Sequence, residues 1–131
     1  MKKETPSMDQ WLKEAKASEN ADRCGMFLFH NGVVRSTAKA RVRNGEIAKP
    51  VSGMLFSYDE NRVNAAVENA LTLPGIYYVR VWLNSGELTV GDDIMLVLLG
   101  GDIRPHVTDA LNILVGELKD KCVSEKELYA E

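Results

Sequence analysis

Soft metal ligands and reactive thiols are scarce in this sequence: two cysteines, Cys24 and Cys122, and two histidines, His30 and His106, in 131 residues. No CxxC pair or histidine cluster supports them. Neither a disulfide framework nor a zinc site is indicated, and both thiols read as small buried or half-buried side chains. The glycine patterns of dinucleotide and phosphate loops are missing, as is the GxSxG of an esterase, so no resident cofactor or metal is expected. No apolar run reaches the roughly 20 residues needed to cross a bilayer. The polar start Met1-Lys2-Lys3-Glu4-Thr5-Pro6 lacks the apolar core of a secretory signal, and a cytoplasmic protein without a membrane partner follows. A net charge of −3 with no long block of one sign points away from nucleic acid.

What is present suits one soluble domain over residues 1–131. Apolar residues make up 45% and charged residues 27%, enough to bury a core and to solvate its surface. Flexibility is expected at residues 1–6 and 127–131. Residues 36–50 read as a mobile basic loop, because Arg35, Lys39, Arg41 and Arg43 meet no acid before Glu46. Such a loop is either a solvated surface segment or a lid attracted to an anion.

Local patterns define the elements. Ser7 with Gln10 forms a capping-box pattern ahead of Trp11, Leu12 and Ala15, predicting a helix over 8–18. Residues 25–30 read as a strand, bent by Asn31-Gly32 and resumed by Val33-Val34. Another strand covers 51–58. Asp59 then caps a helix whose Val63, Ala66, Val67, Ala70 and Leu71 share a face. Strands over 76–83 and 93–99 flank a turn-rich segment, and Gly100-Gly101 should end the second. Pro105 suits the first turn of a last helix, with Val107, Leu111, Leu114, Val115 and Leu118 as its buried stripe up to about Lys121. Only the middle helix could serve as a crossover. The expected architecture is therefore a mainly antiparallel α+β sheet with helices on one side.

Cations are the most informative groups. Arg35 follows the bend behind Gly32, where a small residue lets the backbone approach a ligand. Arg104 opens a helix, where free N–H groups and the helix dipole favour an anion such as phosphate. The plain alternative for each is a surface charge or an ion pair. Lys119 and Lys126 lie seven residues apart and would project on one side of a continued helix, or would simply complement its C-terminal dipole. His30 and His106 each stand alone, and no Ser, Cys, His and acid spacing suggests a triad.

Taken in order, Gly32-x-Val34-Arg35, Gly86-Glu87-Leu88-x-x-Gly91-Asp92, Arg104, and Leu118-Lys119 with Lys126 resemble the large, catalytic subunit of molybdopterin synthase. The resemblance covers roughly residues 7–128. It implies an α/β hammerhead-type α+β fold and a homodimer. A small ubiquitin-like sulfur-carrier subunit would dock at each end of that dimer, giving a heterotetramer. The carrier's C-terminal thiocarboxylate would enter a pocket and give sulfur to cyclic pyranopterin monophosphate, twice per molybdopterin, in molybdenum cofactor biosynthesis. It also implies that Lys119 is the residue most closely tied to catalysis, that Lys126 lines the same pocket, and that Arg35 and Arg104 bind the anionic substrate. A lysine crowded by cations and partly desolvated would lose its proton more readily, so Lys119 is expected to act as base or nucleophile.

Some positions depart from the family pattern. Ile103 replaces a histidine, Leu83-Asn84 a His-Arg pair, and His30 an aromatic residue. Val123-Ser124-Glu125 stands where the family has proline and tryptophan, so that Glu125 and Glu127 flank Lys126 and could neutralise it. The alternative function is a non-catalytic dimeric partner or regulator of a ubiquitin-like sulfur carrier. Arg104 and Lys119 are fifteen residues apart, about 22 Å along a helix at roughly 1.5 Å per residue. Either one of them lies outside the site, or two subunits share it.

Overall fold

The computed structural model describes residues 1–38, 45 and 50–129. Lys39, Arg41 and Arg43, three of the four cations of the expected basic loop, lie outside the described residues, as do residues 130–131. Helix α1 spans Met8–Lys16, and the Ser7 hydroxyl accepts the Gln10 N–H as the capping pattern requires. Strand β1 (Met26–Val33) and strand β2 (Val51–Tyr58) precede helix α2 (Glu60–Leu71), which Asp59 caps through the Arg62 N–H. Strands β3 (Ile76–Leu83), β4 (Gly86–Thr89) and β5 (Asp93–Gly101) lead into helix α3 (Arg104–Glu117). One wide π-helical turn, Leu118–Cys122, then hands the chain to strand β6 (Val123–Tyr129).

Among the described residues, six strands form two antiparallel three-stranded sheets, ordered β1-β5-β3 and β4-β2-β6. The expected α+β class holds, with two sheets in place of one. Central strand β5 explains why. It is apolar at nearly every position, so both of its faces must be covered. Met95, Val97 and Leu99 face the main core, which includes Val63 and Ala66 of α2 and Val107 and Leu114 of α3. Leu96 and Leu98 face the opposite way, against Trp11 and Ala15 of α1. Helices therefore lie on both sides of this sheet, not on one.

Three local expectations are corrected. Gly100-Gly101 does not break β5, because both residues pair with β1, Gly100 opposite Phe27 and Gly101 opposite Met26. A Cβ at Gly100 would stand 2.6 Å from the Phe27 ring, and one at Gly101 2.6 Å from the Gly75 carbonyl, so these glycines serve close packing inside a strand. The segment read as turn contains β4, whose Leu88 is fully buried opposite Met54. The last helix does not continue toward Lys126; Val123 already belongs to a strand.

The first residues, expected to be flexible, are tied to the sheets. Buried Asn84 accepts the Lys3 N–H at 2.7 Å and donates to the Asp93 carbonyl at 2.8 Å. The Lys3 ammonium reaches the Tyr58 hydroxyl at 2.8 Å.

Candidate functional site

A cavity of about 700 Å³ opens where the two sheets meet. Its walls come from the end of β1, the starts of β2 and β5, the π-helical turn, and β6. His30, Arg35, Lys119 and Lys126 all border it. Three of the four cations singled out in the sequence thus converge on one cavity.

Arg35 is placed by the bend in β1. The register against β5 shifts between Gly32 and Val33, and the strand turns there. Beyond the shift, Val34 is buried, its N–H donating to the Asp92 carbonyl and its carbonyl accepting the Gly91 N–H, each at 2.9 Å. Gly91 has φ +94°, a conformation that disfavours residues with a Cβ. The Asp92 carboxylate closes the same turn by accepting the Thr89 N–H at 2.8 Å. The Gly91-Asp92 pair is therefore a clamp that holds Val34 and presents exposed Arg35 beside it.

Lys119 is placed by the turn after α3. Leu118 and Cys122 are both buried, which turns Lys119, Asp120 and Lys121 outward. The turn is held from α2, for the Arg62 guanidinium donates to the Lys121 carbonyl at 3.0 Å and the Asp59 N–H to the Cys122 carbonyl at 2.8 Å. Single π-helical turns recur at functional positions because they displace one side chain from the helical stripe.

Lys119 and Lys126 share the cavity for a reason other than helix periodicity. β6 runs antiparallel to β2, with Glu125 opposite Phe56, Lys126 opposite Leu55 and Glu127 opposite Met54. Directly opposed residues share a face of the sheet. Glu125 and Glu127 thus lie on the face of buried Phe56 and Met54, whereas exposed Lys126 lies on the outer face with exposed Leu55 and reaches the cavity at its rim. The two acids are pocket groups first and neighbours of Lys126 second.

Arg104 does not border the cavity. It sits exposed at the first position of α3, at the opposite end from Lys119. Near it the Asp102 carboxylate already accepts the Ile103 N–H at 2.6 Å and meets His106 Nδ1 at 2.7 Å. The His106 hydrogen bond, followed by the backbone one, holds the Asp102 carboxyl below the usual carboxylate range. The anion-binding potential of this helix start is partly met by the chain's own carboxylate.

His30 and Tyr129 are pocket groups that sequence reasoning passed over. The only available signal for His30 was that it occupies a position where an aromatic residue is usual. Burial, and then the positive charge of Lys119, lower its pKa from the ordinary 6.5. The folded state therefore resists protonating His30 more than the unfolded chain does. Its contribution to stability is whole above the unfolded value and is lost as pH falls through the folded one. His30→Phe should lose less stability than the parent between about pH 7.5 and about pH 5.5, read as urea midpoints. Equal losses in the two proteins would show that His30 is not the titrating group.

The protein-family model described as MoaE protein matches residues 1–121. That match includes Arg35, Arg104 and Lys119 and ends before β6. No curated protein matches the chain by sequence. Among solved structures, molybdopterin synthase from Staphylococcus aureus aligns with a TM-score of 0.75 at 16% identity, over 98% of this chain and 88% of that one. A molybdopterin biosynthesis MoaE protein from Burkholderia ambifaria aligns at 0.71 and 16% identity, covering 97% and 85%. A complex of subunits 1 and 2 of molybdopterin-converting factor from Helicobacter pylori aligns at 0.63 and 16% identity, covering 96% and 85%. At such identities the structural likeness is one of fold.

Proposed function

Because the chain belongs to the MoaE protein family, the catalytic large subunits of molybdopterin synthase, we propose that its cavity carries sulfur from the C-terminal thiocarboxylate of a small ubiquitin-like carrier to cyclic pyranopterin monophosphate. The observation that supports this most is the convergence of Lys119 and Arg35 on one cavity. Thiocarboxylate and phosphate are both anions, so these cations attract carrier tail and substrate together. The carrier sulfur forms the new bond to a carbon of the pterin side chain as that carbon's bond to oxygen breaks, the oxygen leaving with a proton. Water then cleaves the bond between that sulfur and the carrier's terminal carbonyl, returning a carboxylate. Lys119 stabilises the charge that develops on that carbonyl oxygen, or supplies a base once it has lost its proton. Two rounds place two sulfurs.

A homodimer, with Arg104 of one copy approaching the pocket of the other, would reconcile the role expected of Arg104 with its place at the far end of α3. Two carrier subunits on such a dimer complete a heterotetramer. Among the described residues no helix is long and apolar enough to cross a membrane, and a cytoplasmic location belongs to the same proposal.

One feature favours a second reading, in which the chain binds a carrier without turnover: Glu125 and Glu127 lower the positive charge of the pocket face. Mixing the protein with thiocarboxylated carrier and cyclic pyranopterin monophosphate decides between them. Molybdopterin should accumulate with two carriers consumed per product. Carrier binding without product would establish the second reading.

A further inference from the structure

The chain has two histidines, and their surroundings differ. His106 does not border the cavity, and its Nδ1 is already engaged by the Asp102 carboxylate at 2.7 Å. His30 borders the cavity, and among the described residues no hydrogen bond engages its ring. We propose that His30 is the general base for the water that releases the carrier. It takes a proton from that water as the water attacks the thioester carbonyl between the carrier tail and the sulfur now on the pterin. This deepens the proposed function and rests on it.

Alternation along β1 aims the ring. Phe27 and Phe29 pack against the cluster of Trp11, Leu96 and Leu98, whereas Leu28 packs against the main core. By the two-residue period of a strand, His30 and Gly32 follow Leu28 on that inner face, and both border the cavity. An imidazole thus stands where the pattern calls for an apolar core residue, at the point where the core opens into the cavity. No fully buried side-chain nitrogen among the described residues lacks a partner, so the unbonded ring nitrogens of His30 are open to the cavity and to a water in it. Lys119 borders the same cavity and bears on the same ring. Burial, and then the Lys119 charge, lower the His30 pKa from the ordinary 6.5, which favours the neutral, proton-accepting form at pH 7. A base and a cation therefore share one cavity, the pair that attack of water on a carbonyl requires.

His30 takes one proton of the water as the water oxygen bonds to the thioester carbon. The carbonyl oxygen gains a negative charge, which Lys119 stabilises. Collapse restores the carbonyl and breaks the carbon–sulfur bond. The sulfur leaves on the pterin side chain and takes the proton from the imidazolium, while the carbonyl carbon is left as a carboxylic acid that ionises into solvent. His30 is neutral again for the second sulfur, and water is the only co-reactant. Lys119 then serves through its charge and not as the base.

Arg35 and Lys119 face the cavity from the bend and the turn, and Glu125, Lys126, Glu127 and Tyr129 from β6, so a pH limb is assigned by substitution. With thiocarboxylated carrier and cyclic pyranopterin monophosphate, the parent should form molybdopterin at a rate that falls with acid below pH 6.5, as His30 takes up a proton. His30→Gln keeps a polar side chain but no base. It should be slower by about 10²–10⁴-fold and should lose the acid limb. It should also accumulate carrier joined to pterin through a thioester, seen as an added intact mass that hydroxylamine removes. His30→Ala should regain part of the rate when imidazole is added, which a purely structural residue would not allow. A His30→Gln protein as fast as the parent, an unchanged acid limb, or loss of rate without the thioester would overturn the assignment. A lowered urea midpoint in both variants with no rescue by imidazole would make His30 structural and would also overturn it. A parent that forms neither product nor thioester would sink the sulfur-transfer reading and this inference with it. Product formed equally by parent and His30→Gln would sink this inference alone.

Discussion

Lys119→Ala should lower molybdopterin formation by about 10²–10³-fold with the fold intact, the loss typical when one preorganised charge-stabilising group is removed. The side chain is exposed and turned outward between buried Leu118 and Cys122, so truncation leaves the core unchanged and the urea midpoint should stay near that of the parent. Lys119→Arg separates the two roles given to this residue. Arginine keeps the charge but cannot lose its proton, so partial recovery would mean electrostatic stabilisation and no recovery would mean a base or nucleophile. Full activity in Lys119→Ala would remove Lys119 from the mechanism. The same protein tests the shared site, for mixed with an Arg104→Ala protein it should regain activity as subunits exchange. A mixture that stays inactive would count against a pocket built from two copies.

Leu118→Ala should destabilise the protein by about 2–5 kcal/mol, the range for deleting a fully buried leucine whose surroundings cannot collapse. Leu118 is the last residue of the α3 stripe and the first of the π-helical turn, packed in the same core as Val63, Ala66 and Leu114. Its loss should also blunt activity beyond the loss of folded protein, because the neighbouring lysine is aimed by this anchor. Chemical unfolding should give a lower midpoint with an unchanged slope. Leu118→Met, which conserves volume, should lose less than about 1.5 kcal/mol. If both variants matched the parent, the anchoring role would be wrong.

The sequence reading of the elements succeeded wherever one segment carried its own signal. Ser7 with Gln10, Asp59 ahead of Val63 and Ala66, and Pro105 ahead of Val107 and Leu114 each define a helix through caps and a periodic stripe. It faltered where the deciding partner is distant in the chain. Gly100-Gly101 looks like punctuation until Phe27 and Gly75 are packed against it. The strand Gly86–Thr89 has only four residues and becomes a strand by pairing with β2.

The candidate site divides in the same way. Arg35, Lys119 and Lys126 were legible as cations at ordered positions, and all three border the cavity. Arg104 was equally legible and lies elsewhere, since a helix that runs from Arg104 to Glu117 separates its first residue from anything beyond its last. His30 was illegible because a lone histidine in a strand looks the same whether it faces the core or a ligand.

By itself, then, the sequence determined the α+β class, the three α-helices and four of the six strands among the described residues, and the charged residues from which a site could be drawn, because caps, turns and periodicity act within a few residues. Tertiary structure decided which faces were inside. Pairing β6 with β2, some seventy residues away, turns Glu127 inward and Lys126 outward, and a one-residue slip would reverse both.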